Sequence, residues 1–284
     1  MFFYIVLSYL IKYFTNTRYS YYLRIKNKDI IVKSKIKYSG SKLRLNIGDF
    51  VQYYIFMDGA YEIETLDFVA SFIDRKVFLD VGAHIGNYSL SLHKRAKKIY
   101  AFEASATNVN YLKENIRANK IGNIKTIDKA VCNEDNKSIK IYLSPDASSN
   151  HSIYDKFKGK YENVETVTLN SFYKKNNIEE IDVIKIDVEG AEFAVIKGAS
   201  KILHKFTPLL IVEFCKASAD AAGYDLSDMY YYLKDLGYQS FALYNRMLST
   251  INVDAINTDN KFQQNIIFVH GDNLSMVQDS FLLK

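Results

Sequence analysis

Cysteine and proline are scarce in this chain of 284 residues, with two of each. Cys132 and Cys215 lie far apart and neither has metal-ligand spacing, so a reducing, cytoplasmic setting fits best. Pro145 and Pro208 are too few for a proline-rich linker, and no repeat or low-complexity tract is present. Long apolar runs are also missing. The N-terminal residues 1–14 (MFFYIVLSYLIKYF) run for about ten residues before Lys12, whereas a bilayer span needs roughly 20. They lack the basic start and small-residue cleavage site of a secretory signal. No His, Asp or Glu cluster shows convincing metal spacing, so no metal is expected; Asp187 with Asn170 or Glu213 could hold a divalent ion, but spacing alone does not support it.

What is present suits a sizeable core: hydrophobic residues make up 48% of the chain, which argues against disorder. The net charge of +5 is uneven, because residues 1–50 hold ten Lys or Arg against two acids. That favours an anionic surface contact at the N-terminus over nucleic-acid binding by the whole domain. The division expected is a basic, aromatic extension (1–48, a helix and small strands) before a larger domain (49–284). Residues 1–14 have two readings, an anchor in the lipid headgroup region, at the inner face of the membrane, or a helix packed on the domain.

The chain is organised around residues 77–86, VFLDVGAHIG. An apolar β-prone run ends at Asp80, Gly82 and Gly86 frame a turn, and an amphipathic segment (Tyr88, Leu90, Leu92) follows. A parallel strand entering a helix through such a turn aims backbone N–H groups at a ligand. Gly82 allows close approach, and Gly86 allows the helix to pack on the strand. His84 stands where φ > 0 is often required, a region in which His is enriched among non-glycine residues. The pattern D-x-G-x-H-x-G is not the G-x-G-x-x-G of dinucleotide enzymes. A second strand, 98–102, ends at Glu103, placed to accept hydrogen bonds from ribose hydroxyls.

Residues 50–62 read as a strand, a turn at Asp58-Gly59 and a return strand; 64–73 read as a helix. Beyond Glu103 come a helix (108–120), a third strand (124–131) with Asp128 and Ala130 near its end, an exposed strand (137–143), a polar loop containing His151, and a short strand (164–169). Residues 181–190 read as the fourth parallel strand, with Asp187 and Glu189 at its C-terminal end and Gly190 starting a helix through Phe193, Ile196 and Leu203. Strand 209–214 carries Glu213. A helix (226–236), two last strands (238–244 and 265–269) and a polar connection (245–261) complete the chain. The alternation from 77 to about 210 implies a mainly parallel sheet with helices on both faces. Acids at several strand ends point into one crevice.

DVGAHIG, AFEAS, YLKENIRAN, TLNSF, IKIDVEGAEFAVIKGA and PLLIVEF, in that order and spacing, resemble the FkbM family of S-adenosylmethionine-dependent methyltransferases over roughly residues 50–215. KIDVEGAE is the most specific piece. The resemblance implies a class I methyltransferase (Rossmann-like) α/β fold, a seven-stranded sheet whose last strand is antiparallel. It also implies S-adenosylmethionine as cofactor and O-methylation of a sugar or other hydroxyl-bearing acceptor. It would place Asp80, Gly82, His84 and Gly86 along the methionine part, Glu103 on the ribose, Asp128 to Ala130 beside the adenine, and Asp187 and Glu189 near the methyl. The chain departs from the family pattern at His84 (commonly Asn), at EASA (usually with prolines) and at Asn170 (commonly Asp).

A hydroxyl acceptor needs a base, for which Asp187, Glu189, Glu213 and His151 are candidates, the first two best placed. Lys185, inside an apolar strand, calls for a carboxylate partner, and Glu213 on the neighbouring strand is the one expected. A non-catalytic cofactor-binding module and a nicotinamide-dependent oxidoreductase remain the alternatives. Oligomeric state is open.

Overall fold

The computed structural model describes residues 22, 25, 26, 28–144, 148, 151–154, 160–278 and 282–283. The 1–14 segment, with its lipid-or-packing alternatives, lies outside them.

A hairpin of β1 (Ile31–Lys35) and β2 (Lys42–Asn46) comes first. It is tied to the body through a later helix, α4 (Ala106–Ala118): Arg44 N–H donates to Asn115 Oδ1 (2.8 Å), and the Arg44 guanidinium meets Glu114 at 2.7 Å. Leu43, Leu45 and Ile47 are fully buried in the domain core. Next come α1 (Phe50–Asp58) and α2 (Ile63–Phe72). The strand–turn–strand expected over 50–62 is therefore a helix and a joint. Asp49 caps α1 by accepting from Gln52 N–H (3.0 Å), and Gly59 ends it in the left-handed conformation rather than turning a hairpin. The β-prone aromatics misled because α1 is buried on several sides, so it shows no clean helical stripe.

The main sheet starts with β3 (Val77–Val81), α3 (Asn87–Leu92), β4 (Lys98–Glu103), α4 and β5 (Ile124–Asp128). A small separate sheet holds β6 (Ala130–Val131), β7 (Ser138–Tyr142) and β8 (Tyr161–Val167), with β8 in the middle. Then follow α5 (Leu169–Lys175), β9 (Val183–Ile186), α6 (Glu192–Gly198), α7 (Ser200–Phe206), β10 (Leu209–Cys215), α8 (Lys216–Ala222) and α9 (Leu226–Asp235). The helix expected after Glu189 is thus two helices, divided at Gly198–Ala199. The end of the chain adds β11 (Tyr238–Tyr244), β12 (Met247–Thr250), α10 (Val253–Thr258), β13 (Gln263–His270), α11 (Leu274–Gln278) and β14 (Leu282–Leu283). The connection expected to be irregular over 245–261 therefore contains β12 and α10.

The main sheet runs β14-β12-β11-β13-β10-β9-β3-β4-β5. Its five strands from β10 to β5 are parallel, and β13 is antiparallel to both neighbours. This is the expected mainly parallel α/β arrangement, with two further strands, β12 and β14, at one edge. Along β3 the side chains alternate between two cores: Phe78 faces α1, α2 and α4, while Val77, Leu79 and Val81 face α5, α6, α7 and α9. Burying each such side chain contributes about 1.5–3 kcal/mol. The chain progresses outward from β3 to β4 and β5, then returns to the other side of β3 as β9. That reversal opens a crevice at the carboxyl ends of β3 and β9.

Candidate active site

The crevice holds a cavity of about 520 Å³, within the usual range of roughly 300–1,000 Å³ for small-molecule sites. One end is built from the turn after β3. Gly82, His84 and Gly86 all have positive φ (+88°, +51° and +103°), so the turn that the sequence implied is formed with histidine at its middle. A Cβ on Gly82 would collide with the Asp187 carbonyl oxygen. Gly86 does not line the cavity; a Cβ there would collide with Leu90 and Leu112, so its role is packing α3 against α4. Asp80 lines the cavity, but its Oδ2 accepts from Ser89 N–H (3.1 Å) and Ser89 Oγ (2.5 Å), bracing the start of α3. Burial pushes the Asp80 carboxyl up to about 6, against the opposing pull of Ser89 and Lys185.

Glu103 closes the same end. Its Oε2 accepts from the His84 backbone N–H (2.8 Å) and its Oε1 from those of Ala104 and Ser105 (both 2.9 Å). Burial raises its pKa, and the three N–H groups counter part of that rise. Three N–H donors leave the carboxylate with acceptor capacity toward the cavity. Beside it, Ser105 Oγ and Asn108 Oδ1 are buried with no hydrogen-bond partner among the described residues. The sequence reading missed both; Ser105 lies two residues and Asn108 five after Glu103, at the start of the helix that leaves the second strand. Of the residues expected at the end of the third strand, Ala130 lines the cavity and Asp128 does not. The strand breaks after Asp128, whose carboxylate turns to the surface and pairs with Lys113.

His84 Nε2 lies 2.7 Å from Ser148 Oγ, and both the N–H and the hydroxyl of Ser148 reach Asp49 Oδ2 (2.6 and 2.9 Å). His151 also lines the cavity, with Nδ1 accepting from Ser144 N–H at 3.0 Å. Burial, then His84, lowers the His151 pKa to about 4. The ring is neutral at pH 7 and presents its Nε2 proton, so it is a donor rather than a base.

The other end is acidic. Asp187, Glu189 and Glu213 each place a carboxylate oxygen within 4.8 Å of the others, a grouping able to hold a metal ion that sequence spacing had not suggested. Glu192 fixes the loop that carries the first two, accepting from Val188 N–H (3.0 Å) and Gly190 N–H (3.0 Å). Glu213 is 7% exposed; its Oε1 accepts from Gln263 Nε2 (2.8 Å), and its Oε2 has no partner among the described residues. Burial, with Asp187 and Glu189 close by, raises its carboxyl well above the usual range. Asn265, opposite Glu213 on β13, has a buried Oδ1 that is likewise unpartnered among the described residues.

Lys185, 2% exposed, does not pair with Glu213 as expected. Its Nζ lies 2.8 Å from Asp187 and 3.7 Å from Glu62. Successive side chains alternate faces, so Asp187, two residues on, comes to the same side. Burial alone would lower the Lys185 pKa; the charges of Asp187 and Glu62 outweigh it, and the ammonium is held above its ordinary value. Glu62, in the joint misread as strand, was not a candidate from sequence. Asn170 is remote from the site: Oδ1 accepts from Lys201 N–H (3.0 Å) and Nδ2 donates to Ser200 Oγ (3.2 Å), at the start of α7.

A sequence model of the methyltransferase FkbM domain matches residues 80–240, more than half of the chain. Methyltransferase 1 of Beauveria bassiana (strain ARSEF 2860) is 23% identical over 207 residues, covering 65% of this chain and 80% of the relative. Among solved structures, methyltransferase FkbM from Methylobacillus flagellatus KT is 15% identical with a TM-score of 0.46. That match covers 71% of this chain and 48% of the other, so this chain spans about half of its length. TYW2 of M. jannaschii in complex with AdoMet is 16% identical with a TM-score of 0.42, covering 86% and 88% of the two chains.

Proposed function

This chain belongs to the FkbM methyltransferase family, with S-adenosylmethionine as its methyl donor, and from that premise we propose that it methylates a hydroxyl group on a sugar, glycan or glycolipid-like acceptor. The observation that carries the reading is the distribution of buried, unpartnered oxygens at two ends of one cavity. Among the described residues, Ser105 Oγ and Asn108 Oδ1 near Glu103, and Glu213 Oε2 and Asn265 Oδ1 on paired positions of β10 and β13, have no partner. Buried polar atoms are normally paired, so each end calls for a ligand with donors.

The residues present fit the cofactor. Glu103 offers an anionic acceptor for ribose hydroxyls, Ser105 and Asn108 supply further polar contacts there, and the 82–84 turn brings backbone close to the ligand. Bound there, the cofactor supplies an electrophilic methyl on a sulfonium. The protein's part is alignment and proton removal. Asp187, held by Lys185, and Glu189 are the bases in reach of the acceptor end, with Asp187 the better oriented because Lys185 fixes it. Glu213 Oε2, unpartnered among the described residues, is placed to hydrogen-bond a hydroxyl of the acceptor and orient it. A sugar, with several hydroxyls that both donate and accept, suits this lining of carboxyls and amides.

The basic extension is read as a contact for an anionic or membrane surface that presents such an acceptor, and the compartment is the cytoplasm. Among the described residues no helix is long and apolar enough to cross a membrane. The reading is tested by incubating the chain with methyl-labelled cofactor and a panel of sugars and glycolipids. Label in an alkali-stable methyl ether supports it; label on nitrogen, or on protein, refutes it.

A further inference from the structure

We propose that Glu62 is a positioning residue of this reaction, the carboxylate that balances Lys185 once Asp187 has taken the acceptor's proton; this rests on the reading above that Asp187, near the transferred methyl, is the acceptor's base. Glu62 lies outside the matched family domain. Its backbone is left-handed (φ +54°, ψ +48°), a conformation that costs a non-glycine residue energy and is found where surrounding structure enforces it. It sits at the N-cap position of α2, yet its side chain makes no capping bond. The carboxylate instead turns into the cavity. Oε1 accepts from Asn265 Nδ2 (2.6 Å), Oε2 accepts from the Tyr88 hydroxyl (2.8 Å), and Oε2 is 3.7 Å from Lys185 Nζ.

The joint that carries it is fixed as well. Tyr61 N–H donates to Asn87 Oδ1 (3.0 Å), and Asn87 Nδ2 donates back to the Tyr61 carbonyl (2.9 Å). Glu62 is thereby anchored to α3, β9 and β13, three elements that build the site. Burial and the Glu62 charge raise the Tyr88 pKa well above its ordinary value, so the phenol stays a donor.

The charges explain the construction. Before transfer the sulfonium and Lys185 are positive, and Asp187 and Glu62 are the carboxylates within 4.0 Å of the ammonium; Glu189, within 4.8 Å of Asp187, adds a charge that transfer leaves unchanged. Asp187 takes the acceptor proton as the acceptor oxygen forms its bond to the methyl carbon, while the electron pair of the broken carbon–sulfur bond stays on sulfur. Two opposite charges disappear together, and Lys185 and Glu62 remain as a balanced pair. Without Glu62 the product state would leave the buried ammonium with no charged carboxylate within 4.0 Å among the described residues. The reactant state would lose one of the two carboxylates that offset Lys185 beside a cationic ligand. Among the described residues, Asp187 and Glu62 supply the carboxylates within 4.0 Å of Lys185 Nζ.

The test is the ratio of affinities for S-adenosylmethionine, a sulfonium, and S-adenosylhomocysteine, a neutral thioether, measured by calorimetry on the full chain. Glu62→Gln should weaken the sulfonium relative to the thioether by about ten-fold, the effect of one nearby, partly screened charge. Glu62→Asp should recover most of that loss. The double variant Glu62→Gln/Lys185→Met, which removes both charges, should return the ratio to within about three-fold of wild type, and it serves where the single variant fails to fold. Equal weakening of both ligands by Glu62→Gln, or a double variant whose ratio stays displaced, overturns the proposal. Because no acceptor is involved, a ratio that behaves as described stands even where the hydroxyl-acceptor reading fails. A folded wild type that binds neither ligand overturns both.

Discussion

Replacing Glu103 with glutamine changes charge while nearly preserving shape. In the wild type the two carboxylate oxygens accept from His84 N–H at 2.8 Å and from Ala104 and Ser105 N–H at 2.9 Å each. A glutamine can keep the two bonds at one oxygen. Its amide then faces the His84 N–H, donor against donor, and a buried unsatisfied donor costs about 1–3 kcal/mol. That much stability should be lost, and the 82–84 turn loosened. At the cavity, the ribose hydroxyls meet a neutral acceptor in place of a charged one. Bonds to charged groups are worth roughly 1 kcal/mol more than neutral ones, so two hydroxyls lose about 2 kcal/mol and a displaced turn up to about 1 more. The sum is a 30- to 150-fold loss of affinity for S-adenosylhomocysteine at about 1.4 kcal/mol per decade. Calorimetric titration measures it, and urea unfolding of the unliganded protein measures the stability term separately. An affinity within three-fold of wild type, together with the stability loss, would make Glu103 a brace for the turn and refute its role toward the ribose.

Four further outcomes are expected. Lys185→Met leaves Asp187 and Glu62 without their buried cation and should cost about 2–3 kcal/mol in urea unfolding, less than a fully buried pair because both carboxylates keep some water access; unchanged stability would contradict the pairing. Asp80 holds its proton more tightly folded than unfolded, so its ionisation costs stability as pH rises from about 4 to about 6. Asp80→Asn should gain on wild type over that interval, by on the order of 2–3 kcal/mol, and a constant difference from pH 4 to pH 7.5 would count against it. His151→Gln should leave the pH profile of methyl transfer between 5 and 9 unaltered, since the ring is already neutral there; loss of a limb would reinstate it as a base. EDTA treatment should leave transfer unchanged because Lys185 already supplies a cation to Asp187, whereas loss restored by Mg²⁺ or Mn²⁺ would assign an ion to Asp187, Glu189 and Glu213.

The parallel core of the fold was legible because its signals are local. A continuous apolar run into Asp80, positive-φ residue types at 82, 84 and 86, and a second acid at Glu103 each follow from short-range rules. The 50–62 segment was not legible. A buried helix rich in aromatics has no polar face to reveal its period, and Gly59 serves helix ends and hairpins equally well. The partner of Lys185 was misassigned for a different reason. A neighbouring-strand acid looked closer than one two residues on, yet the end of β9 leaves Asp187 free to turn back toward the ammonium. Glu62 and Asn265 could not be found from sequence, since they meet the site only through packing between segments about 200 residues apart.

The central claim is that Asp187 removes a hydroxyl proton while the cofactor is held from Glu103. It is tested most directly by methyl transfer from labelled S-adenosylmethionine to a sugar or glycolipid acceptor, comparing wild type with Asp187→Asn. The account predicts alkali-stable label with wild type, and at least a hundred-fold less with Asp187→Asn, of the order expected for losing a general base, while the variant still binds S-adenosylhomocysteine. Equal transfer by the two proteins would contradict the role of Asp187. Intact binding of S-adenosylhomocysteine by wild type with no transfer to any acceptor would contradict the enzyme reading and leave a cofactor-binding module in its place.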